Sequence, residues 1–319
     1  MDVGHVTHLS LVGATATGKS ALALAYARER EDVELVSADA FAVYRDLDIG
    51  TAKPTGEERA LARWHLLDVC DPSEEFTVAR FQRLVNEALS GIESRANRAL
   101  VVGGTGLYHR AVVDALDLPG RYARIRAELE EQAKDEEGVR RLYARLETLD
   151  LEAARRMAPT NARRIVRALE VAIGSGKPFS SFGPGLSHYG PSRFATFGLA
   201  LGRAELDRRI ARRLDRQLAD GFLEEVSRLS KRPEGLSRTA RQALGYKELL
   251  AHLEGTTTIE EARAQILRRT KTFARRQESW FRRDPRIVWI DAAAPDLVAR
   301  FVALADTTLG RSTPTPARD

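Results

Sequence analysis

Residues 13–20 read Gly13-Ala14-Thr15-Ala16-Thr17-Gly18-Lys19-Ser20. The run follows an apolar stretch, Leu9-Ser10-Leu11-Val12, and opens into Ala21-Leu22-Ala23-Leu24-Ala25, a helical composition. GxxxxGK[ST] between a strand and a helix predicts a phosphate-binding loop. The N–H groups of such a loop converge on a phosphate, aided by the N-terminus of the following helix. Lys19 would meet the phosphate oxygens as a point charge, and the Ser20 hydroxyl would ligate Mg²⁺. All eight residues are expected to line a diphosphate or triphosphate. The loop does not choose the reaction.

A nucleotide hydrolase also needs a strand that ends in a second carboxylate near the metal. The best core strand after the loop, Ala99-Leu100-Val101-Val102, runs into Gly103-Gly104-Thr105-Gly106 instead. The other candidate, Leu66-Leu67-Asp68-Val69, carries its Asp inside the run. This argues against an ordinary ATPase and for a relative that uses the loop on another phosphorylated ligand.

Around the loop, strand signals at 8–12, 33–37, 65–69 and 99–103 alternate with helix signals at 19–30, 76–95 and 106–116. Alternation of this kind predicts an α/β fold, a P-loop-like parallel sheet flanked by helices. In 76–95, Phe81, Leu84, Val85, Ala88, Leu89 and Ile92 share one face, with Ser73 an upstream cap candidate. From 121 to 174 only helix signals appear, at 121–134, 136–148, 151–157 and 161–173. A Gly/Pro-rich connector follows over 174–191, and strands return at 194–201 and 286–290. The expected organisation is a core of 1–119 and 194–319, with an all-helical insertion at 120–193. The tail Arg311-Ser312-Thr313-Pro314-Thr315-Pro316 is expected to fray.

The chain has 319 residues, 43% hydrophobic and 30% charged, the proportions of a water-soluble globular protein. A lone cysteine, Cys70, excludes an internal disulfide and a Cys-rich zinc site. The six histidines lack metal-ligand spacing, so no structural transition metal is expected. No apolar run reaches roughly 18 residues, which argues against a membrane span. Met1-Asp2-Val3-Gly4-His5 lacks a signal-peptide pattern, so the expected compartment is the cytoplasm. Net charge is +5. Arginines crowd into 203–216 and 258–284, either as a solvated helix face or as a surface for a polyanion.

The carboxyl ends of parallel strands face the ligand crevice. Asp39, after the strand Val33-Glu34-Leu35-Val36, is there a candidate general base or magnesium-shell ligand, or a cap of the following turn. Thr105 reaches the same crevice. It could hydrogen-bond a departing phosphate oxygen, cap the next helix, or do both.

These residues lie inside longer blocks. Ser37 to Pro54 reads SADAFAVYRDLDIGTAKP and resembles the block S-A-D-S-x-Q-V-Y-x-x-L-D-I-G-T-A-K-P of the tRNA dimethylallyltransferase (tRNA isopentenyltransferase) family, bacterial type. Further blocks agree in order over about 9–290. They are the loop itself, His65-Leu66-Leu67-Asp68 with Asp71-Pro72, and Val102 to Tyr108. Next come Arg164 to Val171 with Gly176-Lys177-Pro178, then Gln242 to Glu248, then Ala274-Arg275-Arg276-Gln277 with Trp280-Phe281. The chain departs from the pattern at Ala40, where the family has Ser, and at Ala42, where it has Gln. The family's H-P-N-D reads Ala158-Pro159-Thr160-Asn161, and Leu118 to Arg121 is shorter than usual.

The resemblance implies transfer of a dimethylallyl group from dimethylallyl diphosphate to the exocyclic amine of the tRNA adenosine 3′-adjacent to the anticodon. It gives Asp39 the amine proton, Thr105 a hydrogen bond to the bridging oxygen, and Lys19 and Arg213 the leaving diphosphate. Arg213 is chosen because Arg209 to Arg213 matches the family's R-I-x-x-R. Mg²⁺ on Ser20 is the implied cofactor. The implied RNA contacts are Asp39, Ala40, Phe41, Ala42, Thr105, Arg126, Arg163-Arg164-Ile165-Val166-Arg167, Gln242-Ala243-Leu244-Gly245-Tyr246-Lys247, Arg275 and Arg276. The implied partner is the tRNA anticodon stem-loop, for a monomer without a membrane. An adenylate-directed prenyltransferase and a P-loop small-molecule kinase are the alternatives. A non-catalytic RNA-binding ATP sensor is a third.

Overall fold

The structure, a computed structural model, describes residues 7–310; the tail expected to fray lies outside them. Six strands, β1 (His8–Gly13), β2 (Val33–Ser37), β3 (Trp64–His65), β4 (Arg98–Gly103), β5 (Phe194–Ala200) and β6 (Val288–Asp291), form one sheet. All pair in parallel, in the order β3-β2-β4-β1-β5-β6. Every residue of β1 and β2 is buried, because helices cover both faces and a parallel strand has no solvent side.

Helices α1 (Lys19–Arg28), α2 (Gly56–Leu61), α3 (Val78–Ser94) and α4 (Gly106–Val113) belong to the first half of this layer. Strand alternation sends Val36 and Val101 to one face, against Phe81, Val85 and Leu89 of α3 and Val112 of α4. It sends Leu35 and Leu100 to the other, with Leu9 and Leu11, against Leu22 and Tyr26 of α1. Helix α3 starts later than expected. Thr77 caps it by accepting the Arg80 N–H (3.2 Å), whereas Ser73 donates to the Asp71 carboxylate (2.7 Å). The strand expected at 65–69 also shortens to Trp64–His65. Leu66 and Asp68 take φ of 61° and 59°, and Asp68 turns into a cage of Lys53 and Arg59.

The chain divides into two compact units, one reaching up to Asp114 and resuming at Gly190, the other Ala115–Tyr189. The boundaries fall at 115 and 189, not at the expected 120 and 193. Residues 190–193 are tied to the sheet: Arg286 donates to the Gly190 carbonyl (2.7 Å), and the Thr7 and His8 N–H groups donate to Arg193 O (3.0 and 3.1 Å). The second unit packs α5 (Ala123–Gln132), α6 (Glu136–Leu149), α7 (Leu151–Arg155) and α8 (Ala162–Ser175) around Leu129, Leu142, Leu146, Ile165, Val166 and Leu169.

In the first unit the chain continues through α9 (Arg203–Ala219), α10 (Phe222–Ser230), α11 (Tyr246–Leu253), α12 (Ile259–Phe281) and α13 (Leu297–Thr308). Phe301 of α13 packs on Tyr26 and Phe197, closing the second face of the sheet. Among the described residues no helix is long and apolar enough to cross a membrane.

Candidate functional site

The phosphate loop leaves β1 at Gly13, where φ is 148° and a Cβ would press on the Leu199 carbonyl, so the turn requires glycine. It then passes through left-handed conformations at Ala16 (φ 64°) and Gly18 (φ 97°). Thr17 Oγ1 and Lys19 Nζ both donate to Ala14 O (2.9 and 2.7 Å), which curls Lys19 over the loop. Gly18 is the N-cap of α1 and offers no side-chain cap. The first-turn N–H groups are therefore left for an anion, where the helix dipole also favours one.

Beside the loop, in strand order, lie the ends of β4 and β2. The Ala38 N–H donates to Val102 O (2.8 Å), and a Cβ on Gly103 would collide with the Ala38 carbonyl. This close approach brings Asp39 and Thr105 together. Asp39 Oδ1 accepts from the Phe41 and Ala42 N–H groups (2.8 and 3.3 Å), so the residue does cap its turn. Thr105 occupies the N-cap position of α4 without capping it. Its Oγ1 instead accepts the Ala40 N–H (3.2 Å), which fixes the hydroxyl and keeps its proton for donation.

Arg213 of α9 completes the cluster. It donates to Thr15 Oγ1 and to the Thr51 carbonyl, both at 3.3 Å. Desolvation pushes Lys19 down to about 8, and the Arg213 guanidinium pushes the same way, against the pull of Asp39. Arg213 is likewise lowered by desolvation, with Asp39 opposing. Two cations thus share a poorly hydrated site with one carboxylate, an arrangement that favours a polyanion. Leu214, Phe222 and Ile266 give the cleft beside Thr15, Ala16 and Arg213 an apolar wall.

The sequence reading of catalytic residues did not include three side chains that hold this cluster. Glu225, buried on α10, accepts the N–H groups of Asp48 (2.9 Å), Ile49 (2.7 Å) and Gly50 (3.1 Å), and the Tyr246 hydroxyl (2.6 Å). Gln217 donates to the Ile49 and Gly50 carbonyls (2.6 and 3.1 Å). Together they set the turn whose Thr51 carbonyl orients Arg213. Gln277 of α12 accepts the Thr15 N–H (2.8 Å) and donates to Gly104 O (2.9 Å). Gln277 lies in the block 274–277, which did not say that its side chain works inward. Glu225 and Gln217 lie outside the family-like blocks, and only their backbone partners, Asp48 to Gly50, fall in the block 37–54.

The expected RNA contacts divide by exposure. Arg275 and Arg276 on α12, and Arg163 and Arg164 on α8, are exposed and make no ion pair among the described residues. Gln242 and Lys247 are exposed as well. Arg126 and Arg167 are drawn to the buried Glu170 (3.4 and 2.9 Å). Ile165, Val166, Ala42, Ala243 and Tyr246 are corrections, because their side chains are core and cannot face an RNA. Gly245 is buried with φ of 91°, and a Cβ there would strike Phe222, so the turn requires glycine. Much of the arginine-rich surface is ion-paired: Arg208, Arg209 and Arg212 share Glu205, Arg263 holds Asp215, and Arg203 and Arg282 share Glu278.

Among the described residues no group of three His, Cys, Asp or Glu could cage a metal. The donors near the loop, an exposed Ser20 hydroxyl and the Asp39 carboxylate, fit Mg²⁺ held mostly by ligand phosphates and water.

Residues 42–284 match the family model described as IPP transferase. The chain is 45% identical over 302 residues to a tRNA dimethylallyltransferase of Bifidobacterium animalis subsp. lactis, covering 93% of this chain and 86% of that protein. It is 45% identical to the tRNA dimethylallyltransferase of Thermobifida fusca, covering 93% and 94%. Among solved structures it resembles the full-length tRNA isopentenylpyrophosphate transferase of Bacillus halodurans, at 34% identity, 96% and 97% coverage, and a TM-score of 0.70. A eukaryotic dimethylallyltransferase acting on tRNA shares the fold at 24% identity and a TM-score of 0.78, with 97% and 81% coverage.

Proposed function

The chain belongs to the IPP transferase family and prenylates tRNA, and from that premise we propose the donor, the acceptor atom and the residues that act on them. The donor is dimethylallyl diphosphate. The acceptor is the exocyclic amine of the adenosine 3′-adjacent to the anticodon. The amine nitrogen bonds to C1 of the dimethylallyl group, the C1–O bond breaks, and diphosphate leaves with that electron pair. The proton lost from nitrogen passes to Asp39.

The observation that carries this reading is the make-up of the cluster: two poorly hydrated cations at the phosphate loop, one carboxylate that acts on both, and the Thr105 hydroxyl held at the Ala40 N–H next to that carboxylate. Charge develops on the leaving oxygens as the allylic C–O bond opens, and preorganised donors stabilise it. Lys19, Arg213 and the loop N–H groups other than that of Thr15, which donates to Gln277, would meet those oxygens. Thr105 donates to the bridging oxygen. Ser20 would hold Mg²⁺, which when bound would supply further positive charge to the diphosphate. Asp39 Oδ1 is fixed by two backbone N–H groups, so the carboxylate is held to receive the amine. The adenine must leave its stack to reach Asp39. Arg275, Arg276, Arg163 and Arg164 would hold the RNA through its phosphates. We place the enzyme in the cytoplasm as a monomer.

The test pairs each donor with each acceptor: labelled dimethylallyl diphosphate or ATP, with tRNA or AMP. Product from dimethylallyl diphosphate with tRNA alone is expected. Product with AMP at comparable efficiency would give the site to an adenylate-directed enzyme, and phosphoryl transfer from ATP to a kinase.

A further inference from the structure

Gln277 is buried on α12, the helix whose exposed face carries Arg275 and Arg276. Its Oε1 accepts the Thr15 N–H at 2.8 Å, and its Nε2 donates to Gly104 O at 2.9 Å. Thr15 belongs to the phosphate loop and takes Arg213 on its hydroxyl. Gly104 immediately precedes Thr105. One planar amide therefore spans the diphosphate cradle and the turn that carries the hydroxyl for the bridging oxygen.

The fit is tight on both sides of Thr105. A Cβ on Gly104 would collide with Gln277 Nε2, and a Cβ on Gly106 would collide with the Trp280 indole. Gln277 and Trp280 are three residues apart and share one face of α12. Arg275 and Arg276 lie on the same turn of helix, turned to solvent. A rigid helix transmits a shift of its outer face to its inner one, and here the inner face grips the loop and the Thr105 turn.

We propose that Gln277 is a positioning residue that couples RNA binding on α12 to the diphosphate site. RNA held by Arg275 and Arg276 sets the helix, and the Gln277 amide then fixes the spacing between the Thr15 N–H and Thr105. The donor is bound in its reactive geometry only when the acceptor is in place. This inference rests on the reaction proposed above.

The coupling is measured as the affinity of a non-ionising thio-analogue of dimethylallyl diphosphate, with and without an anticodon stem-loop RNA. For the natural chain, RNA should tighten the analogue by about 5- to 150-fold, the range of typical site–site coupling. Gln277→Met keeps the volume and removes both hydrogen bonds. It should abolish that tightening and lower kcat by about 10²-fold, as a misplaced reacting group does, with RNA affinity unchanged. Gln277→Glu adds a readout that packing alone cannot give. Only its protonated carboxyl can donate to Gly104 O while accepting from Thr15, so its activity relative to the natural enzyme should rise as pH falls.

A natural chain without RNA-dependent tightening overturns the proposal. So does Gln277→Met with intact coupling and turnover. If Gln277→Met fails to fold, Gln277→Glu decides, and a ratio flat with pH overturns the assignment. A natural chain that couples the two ligands but transfers nothing to tRNA would defeat the proposed reaction and leave the coupling standing.

Discussion

Lys19 offers a direct measure of how far the site departs from an ordinary loop. Desolvation, with Arg213 adding to it, brings its ammonium down to about 8 from the usual 10.5. A bound diphosphate reverses the balance, because several oxygens then face the charge, and returns the group to at least its ordinary value. A group whose bound pKa exceeds its free pKa gives its full contribution to binding below the free value. That contribution is lost as pH rises through the window between them. Donor affinity should therefore be level up to about pH 7, then fall, losing about 70-fold between pH 7 and pH 10, or about 2.5 kcal/mol. The donor's own phosphates are already ionised over that range. Tyr108, the neighbouring phenol, is held well above it by burial. The assay is calorimetric titration of the thio-analogue without RNA, at half-unit pH steps, with circular dichroism confirming the fold at each. Lys19→Arg, charged throughout, should give a level curve. An affinity constant from pH 7 to 10, or a Lys19→Arg curve that falls like the natural one, would refute the assignment of the titration to Lys19.

Asp39→Asn keeps an oxygen for the Phe41 and Ala42 N–H groups and removes the base. Single-turnover rates should drop roughly 10²–10⁴-fold while analogue binding stays near normal, and near-natural turnover would leave Asp39 only its turn. Replacing Arg275 and Arg276 together should flatten the log–log dependence of tRNA affinity on salt by about one to two units, read across a salt series. Loss of RNA affinity with an unchanged slope would mean a structural effect. Glu225→Ala leaves three backbone N–H groups and a phenol without their acceptor, so denaturant melts should show a loss of at least about 3 kcal/mol. Tyr246→Phe, which removes one hydrogen bond to the same carboxylate, should cost only about 1 kcal/mol.

The parts of the site legible in the sequence are local. The loop, Asp39 and Thr105 each follow a strand directly, so placing the strands in a parallel sheet places all three at one edge. Arg213 was reached through family resemblance alone, since nothing in its own stretch distinguishes it from the five other arginines of 203–216. Gln277 and Glu225 act across 262 and 175 residues of chain, and no periodicity announces a partner at that distance. The sequence also does not say which residues of a shared block are exposed and which are core. Ile165 and Val166 sit beside Arg163 and Arg164, yet Ile165, Val166 and Leu169 form the apolar stripe of α8. Charge density does not separate paired from unpaired arginines either, because Glu205 alone collects three of them.

The missing second carboxylate follows from the same arrangement. Asp68, the acidic residue nearest to that role in sequence, is engaged by Lys53 and Arg59, and Lys53 also holds Asp48 and the Tyr44 carbonyl. The lysine of the most diagnostic block is thus architectural. It sets the floor of the loop that Glu225 and Gln217 clamp from the other side. A phosphoryl group in flight needs metal and carboxylate around its equatorial oxygens. Cleavage at carbon asks for something different. Negative charge gathers on the leaving diphosphate, positive charge on the allylic carbon, and a proton must leave the incoming amine. In the proposed reaction, Lys19 and Arg213 would meet the leaving charge and Asp39 the proton. A second anion beside the loop would neutralise the end that has to accept the leaving charge.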